Sequence, residues 1–209
     1  MNLSCSTGLR GMHAEIREAV SKLIRLSDLR HISFSHFESD ECGALNDWLA
    51  AAPKADVLCS QLGALVSVDD FIGRESRPLA DGETFSTGKY LFRHCRTPHL
   101  PNGWDAGVLF EETQRTLLCS DLFHQNGDGE PIISSDVVGR SHQAMKEYHL
   151  GILAEYVPYT LLAAHNLKKL AELKPKTLAI MHGSSFIGDC AQAFNDLDMV
   201  FREVFGQQR

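Results

Sequence analysis

His36-Phe37-Glu38-Ser39-Asp40-Glu41 spaces an imidazole and two carboxylates one residue apart, His36, Glu38 and Asp40, with a further carboxylate at Glu41. Imidazole nitrogens and carboxylate oxygens gathered at one point suit a metal cation. The apolar run Ile32-Ser33-Phe34 comes before the stretch and the small residues Cys42-Gly43-Ala44 follow it. It therefore reads as a loop that leaves a strand and enters a helix. Taken alone, the stretch fits a solvated helix N-terminus equally well, since carboxylates are favoured there by the helix dipole. Three more places put a ligand-type residue just past a predicted strand: His99, Asp121 and His182.

The elements that must position these residues follow from periodicity. Met12 to Leu26 reads as an amphipathic helix, with Ile16, Ala19, Val20, Leu23 and Leu26 on one face. Leu29 to Phe34 is a short strand, Ala44 to Ala52 a helix stopped before Pro53, and Asp56 to Cys59 a buried strand. Gln61 to Phe71 is expected to be a helix with Ala64, Leu65 and Val68 inward. Arg77 to Leu79 and Thr84-Phe85 flank Asp81-Gly82 and predict a hairpin. Tyr90 to Cys95 is a strand running into the turn-rich loop of Thr97 to Asp105. Ala106 to Glu111 and Thr116 to Ser120 are strands joined by a polar turn. Helices are expected over Val138 to Leu153, Tyr159 to Leu173 and Ala191 to Phe205, with a strand from Lys176 to Met181 ending at His182. Alternating helices and strands describe an α/β layered domain, in which binding groups collect where strands end.

The bulk numbers bound the function. With 209 residues, 44% hydrophobic and 22% charged, the chain has the size and balance of one globular domain, 1–209. A net charge of −7 without a basic run argues against nucleic acid or an anionic membrane surface as partner. No stretch has the length of a spanning helix and no leader is evident at the start. Six cysteines without a CxxC pair fit a reducing, cytoplasmic setting better than a disulfide framework or a thiolate zinc site. Ten histidines direct the search to metal chemistry.

Three histidines and three or four carboxylates exceed the four ligands that satisfy one tetrahedral zinc. They imply two ions, and Asp121 suits the bridge because one carboxylate offers an oxygen to each. The oxygen-rich, sulfur-free set favours iron or manganese over zinc, without deciding between them.

His36-x-Glu38-x-Asp40, followed by His99, Asp121 and His182, resembles the metallo-β-lactamase superfamily, and within it the diiron domain of flavodiiron proteins and stand-alone oxygen-binding diiron proteins. The hydrolase branch carries His-x-His-x-Asp-His, and Glu38 here occupies the middle histidine's place. Trp104-Asp105, Leu117-Leu118-Cys119-Ser120-Asp121 and Tyr156-x-Pro158 are further echoes. The resemblance implies a metallo-β-lactamase-like αβ/βα sandwich. It also implies that His36, Glu38 and His99 hold one iron, Asp40 and His182 the other, with Asp121 bridging.

Most flavodiiron proteins have a histidine where this chain has Glu41, which makes Glu41 a candidate ligand, base or exposed helix-start carboxylate. His94 and His149 are candidates to line the site or support its ligands. The other histidines, His124 included, read as surface or satisfied interior residues. Leu3 to Gly8 aligns with the family's Asp-Thr-Gly turn, Ser6 standing in the Asp position, so the N-terminal strands are expected to be partly missing. The same comparison implies no flavodoxin domain and no FMN site in this chain. The function it implies is binding of O2, as a sensor, or reduction of O2 or NO with electrons from a flavoprotein or rubredoxin-like donor, in a homodimer. The alternatives are a two-zinc hydrolase of an ester or phosphodiester, and a weakly metal-binding partner subunit.

Overall fold

The computed structural model describes residues 3–154 and 156–206. They fall into two compact units, one made of Met1–Arg96 with Gly103–Gly107, the other of Thr97–Asn102 with Val108–Arg209. Among the described residues, no helix is long and apolar enough to cross a membrane.

The first unit is built on four parallel strands in sequence order, β1 (Leu3–Cys5), β2 (His31–Ser33), β3 (Asp56–Ser60) and β4 (Arg77–Leu79). Parallel neighbours need crossover connections. These are α1 (His13–Ser21); then α2 (Ser39–Cys42) and α3 (Leu45–Ala51); then α4 (Gln61–Gly63), which passes through a π-helical turn, Ala64–Val68, into α5 (Asp69–Ile72). The helices bury Leu45, Trp48, Ala64 and Val68 against Ile32, Val57 and Cys59 of the sheet. Trp48 anchors this core: its indole N–H donates to the Thr7 carbonyl at 3.1 Å, and His13 meets its ring edge-on at 5.1 Å.

Several expected boundaries shift here. The first helix stops at Ser21, and Leu23 lies outside it, 84% exposed, while Ile16, Val20, Ile24 and Leu26 pack on the core. Leu65, expected inward, is 82% exposed, because the wider π turn rotates it off the face that keeps Ala64 and Val68 buried. The expected hairpin between Arg77–Leu79 and Thr84-Phe85 does not form. β4 pairs with β3, and β5 (Thr84–Ser86) pairs antiparallel with β6 (Leu91–Arg96). The Asp81-Gly82 reversal exists, with Gly82 at φ 76° and its amide bonded to the His94 carbonyl. Turn chemistry specifies a reversal, and burial of Leu79 beside β3 decides the partner.

The second unit pairs its strands in the order β7 (Gly107–Glu111), β8 (Thr116–Ser120), β10 (Thr177–Ile180), β11 (Ser185–Ile187) and β9 (Ile132–Ile133). The β7–β8 turn is held by the buried Glu111 carboxylate, which accepts the amides of Thr113 and Gln114 at 2.7 Å each. β8 and β10 run parallel, β10 and β11 antiparallel. β9 and β11 carry too few residues for a periodic signal and are created by pairing.

Three helices complete the unit: α6 (Val137–His149), α7 (Leu161–Glu172) and α8 (Cys190–Phe205). α8 buries Ala193, Phe194, Leu197, Val200, Phe201 and Val204, the three-to-four spacing of one helical face. α7 starts two residues later than its pattern predicts, because the Thr160 side chain accepts the Ala163 amide and caps it there. α6 stops at His149, leaving Leu150 and Ile152 exposed beyond it.

Candidate functional site

In the first unit the predicted ligand stretch leaves the carboxyl end of β2, where parallel sheets present their loops. Phe34 is buried, Gly107 donates its amide to the Ser35 carbonyl at 3.0 Å, and the Phe37 amide donates to Asp105 Oδ2 at 3.0 Å. Asp105 is buried and itself held close. A side chain on Gly103, which has φ 74°, would reach within 2.8 Å of its Oδ1. This clamp turns His36 so that its Nε2 lies 2.8 Å from Glu38 Oε2, with Nδ1 3.2 Å from Ser35 Oγ. His36 is buried and Glu38 half exposed, so the pair presents one buried nitrogen and one accessible carboxylate.

Glu38 also starts α2, whose first turn carries Asp40 and Glu41. Glu41 is 2% exposed, so it is not a solvated helix-start carboxylate. Its Oε2 accepts the Ser35 amide at 3.2 Å, and its carbonyl accepts the amide of Thr7 at 2.7 Å. The Ser6 hydroxyl donates to the Asp40 carbonyl at 3.1 Å. Glu41 thus braces the loop from beneath and ties it to the Ser6-Thr7-Gly8 turn.

His94 is buried on β6 with Nδ1 3.1 Å from the Ala80 carbonyl. A carbonyl only accepts, so Nδ1 carries the proton. Its Nε2 crowds Gly107, where an added Cβ would fall 2.3 Å away.

In the second unit Asp121 and His182 are brought together by sheet register. β8 and β10 are adjacent and parallel, with Ile180 paired to Ser120, so both chains leave the sheet at the same edge. An irregularity between Ala179 and Ile180 lets β8 gain one residue on β10. Asp121 follows β8 directly, and its Oδ1 lies 3.2 Å from His182 Nε2. The turn after His182 is fastened to the loop after Asp121: the Gln125 amide donates to the His182 carbonyl at 2.7 Å, and Gln125 Nε2 donates to the Ser184 carbonyl at 3.1 Å. His99 sits exposed in the Thr97–Asn102 segment at φ 60°. The Thr97 hydroxyl closes that turn on the Leu100 carbonyl at 2.7 Å.

His124, set aside by sequence reasoning, supports this group. It is buried, its Nδ1 lies 3.3 Å from the Asp121 carbonyl, and its Nε2 lies 3.3 Å from the Tyr156 hydroxyl. The carbonyl fixes the proton on Nδ1, so Tyr156 donates to Nε2. Tyr148 stacks on the ring at 4.8 Å. Burial pulls the His124 pKa down and pushes the Tyr156 pKa up. No spacing rule in the sequence marks this pair.

His149 lies at the end of α6, 5.8 Å from the Phe205 ring. Burial pushes the Cys42 and Cys59 thiols up to about 12 and about 11, which keeps them protonated.

Each unit therefore carries a nitrogen–oxygen pair at ligand spacing, with no sulfur. Such a donor set fits iron, manganese or zinc, and its carboxylate share fits the harder ions best.

Comparison with known proteins places this architecture. The flavo di-iron protein of Thermotoga maritima superimposes with a TM-score of 0.79 at 22% identity, over 94% of this chain and 49% of its own. The chemotaxis sensor ODP, solved as a peroxy diiron species, gives a TM-score of 0.75 at 20% identity, over 94% of this chain and 81% of its own. A rubredoxin-oxygen oxidoreductase from Megalodesulfovibrio gigas is 27% identical over 179 residues, 83% of this chain and 44% of that protein. The chain thus spans less than half of that curated relative. The fold is the metallo-β-lactamase-like fold of these flavodiiron proteins. A family model described as ODP family beta lactamase matches residues 6–183, most of the chain. The chain is a member of the ODP family of beta-lactamase-like proteins.

Proposed function

We propose that this protein binds O2 at a non-haem diiron centre, with His36, Glu38 and His99 as ligands of one iron, Asp40 and His182 of the other, and Asp121 bridging. On this reading the two units are halves of one diiron domain. The observation that carries it is Glu38 at 2.8 Å from His36, an oxygen donor where the hydrolase branch has nitrogen. A diiron centre held by these residues would supply the electrons for binding or reducing O2, and the similar chemotaxis sensor ODP, solved as a peroxy diiron species, supports that reading.

The protein's own groups define what surrounds such a centre. Ser35 orients His36 through Nδ1 and leaves Nε2 for the metal. Asp105 and Glu41 hold the Ser35–Phe37 backbone from two sides. Gln125 locks the turn that carries His182. The Tyr156 hydroxyl donates to His124, whose other ring nitrogen holds the Asp121 carbonyl and so fixes the start of that loop. Sustained reduction of O2 or NO requires an external donor, and a rubredoxin-like or flavoprotein donor fits the relatives. A homodimer in the cytoplasm completes the proposal.

The test is anaerobic iron loading, metal analysis and exposure to O2. Two irons per chain and an oxygen-dependent near-ultraviolet band are expected. Two zincs, no spectral response to O2 and turnover of a phosphodiester would overturn the proposal. Glu38→His should shift the metal preference from iron toward zinc, read as the Fe:Zn ratio after loading in an equimolar mixture.

A further inference from the structure

The connection from α6 to α7 carries apolar side chains on its outer side. Leu150 is 88% exposed, Ile152 fully exposed and Leu161 93% exposed, with Leu153 and Leu162 close to half exposed. The connection is a built turn. The Gly151 amide donates to the Tyr148 carbonyl at 3.0 Å, the Ala154 amide to the Gly151 carbonyl at 3.1 Å, and the Tyr156 amide to the Leu153 carbonyl at 3.2 Å. Its inner side is already filled. Val157 is buried, and the Tyr156 ring meets those of Tyr148 and Phe205 at 5.7 and 5.5 Å.

Both ends of the connection border α8. His149 meets Phe205 at 5.8 Å, and the Tyr159 hydroxyl donates to Asp198 Oδ1 at 3.0 Å. Phe205 and Asp198 are two turns apart on that helix, about 10 Å. The Leu150–Leu153 group and the Leu161-Leu162 pair thus lie along the same stretch of α8, where Met199 beside Asp198 is also exposed. The five leucine and isoleucine residues together leave on the order of 700 Å2 in solvent, more than the scattered apolar surface of a monomer and close to the roughly 800 Å2 per partner that a standard interface covers.

Charge selects the occupant. Residues 148–163 include no Lys or Arg, and Glu155 is their one acidic residue. The charged neighbours on α8 are paired, Arg202 with Asp198 at 2.7 Å and Glu203 with Lys146 at 3.0 Å. Such a face meets a copy of itself without setting like charges together, as the charge-depleted centres of protein interfaces do. An anionic lipid surface finds no Lys or Arg in this segment to hold it.

We propose that Leu150, Ile152, Leu153, Leu161 and Leu162, with Met199, form the surface on which a second copy of this chain docks in a two-fold contact. This rests on the homodimer proposed above and names its surface.

The test is sedimentation of the metal-loaded full chain across a range of concentrations. The wild type should be a dimer at micromolar concentration. Leu150→Ser combined with Ile152→Ser should raise the dimer dissociation constant about a hundredfold or more, since each change is made on both copies. Leu161→Glu, which puts two carboxylates into the apolar contact, should do the same and serves if the double variant does not fold. Leu23→Ser removes an equally exposed leucine of the first unit and should leave the dimer intact. A wild type that stays monomeric, alone or bound to phosphatidylserine vesicles, overturns this surface and the homodimer together. A dimer that survives both sets of changes, or that Leu23→Ser dissociates, overturns the surface and leaves the homodimer standing. Metal content of the same samples reports on the diiron reading separately.

Discussion

The two units assemble their metal-type residues in opposite ways. In the first, His36, Glu38, Asp40 and Glu41 come from one short stretch, and Asp105 and the Ser6-Thr7 turn pin its backbone. In the second, Asp121 and His182 lie far apart in sequence, and the register of β8 on β10 sets them 3.2 Å apart. A local cluster depends on a few backbone hydrogen bonds. A dispersed pair depends on the sheet and on the core beneath it. Damage to packing should therefore disturb the second set most, and loss of single polar groups the first.

The largest expected effect is on that core. Phe123 is fully buried and meets Phe194 edge-on at 5.0 Å, two residues beyond Asp121. Phe123→Ala should cost about 3–5 kcal/mol in urea unfolding and release bound metal. A loss below about 1 kcal/mol would mean the Asp121 loop is not held by packing. Next come the two polar clamps, which form a matched pair. Asp105→Ala removes the acceptor of the Phe37 amide and should cost about 1–3 kcal/mol. Asp105→Asn keeps an acceptor and should recover most of it. Gln125→Ala strips the contacts to Ser184 and should cost about 1–2 kcal/mol. Iron titration of both alanine variants sharpens the contrast: each should weaken metal binding, and equal unfolding losses with unchanged affinity would show that the clamps only stabilise the fold.

The smallest effect is electrostatic. Burial against Phe85 lowers the His31 pKa from its ordinary 6.5, so the unfolded chain takes up the proton more readily. The stability contributed by neutral His31 is full above about pH 6.5 and is lost as pH falls through the lower folded value. His31→Asn should flatten that part of the stability–pH curve. A wild-type curve that is level between pH 7 and pH 5 would remove His31 from the account.

The sites where sequence and structure part company share a cause. A 3.6-residue period points Leu65 inward, and a π turn breaks that period. Asp81-Gly82 specifies a chain reversal, but the partners of β4 and β5 depend on what each buries. Glu41 read equally well as ligand, base or exposed carboxylate, and only its burial beneath Ser35 removed the last of these.

What the sequence determined by itself was therefore the chemistry and the places it could occur. It put His36-x-Glu38-x-Asp40 after a strand, and His99, Asp121 and His182 at the ends of others, because residue type and period are local properties. The tertiary structure alone decided which groups support those residues. Asp105 under Phe37, Gln125 under His182 and Tyr156 on His124 each join segments distant in the chain, and such contacts follow from strand register and packing, which no local pattern encodes.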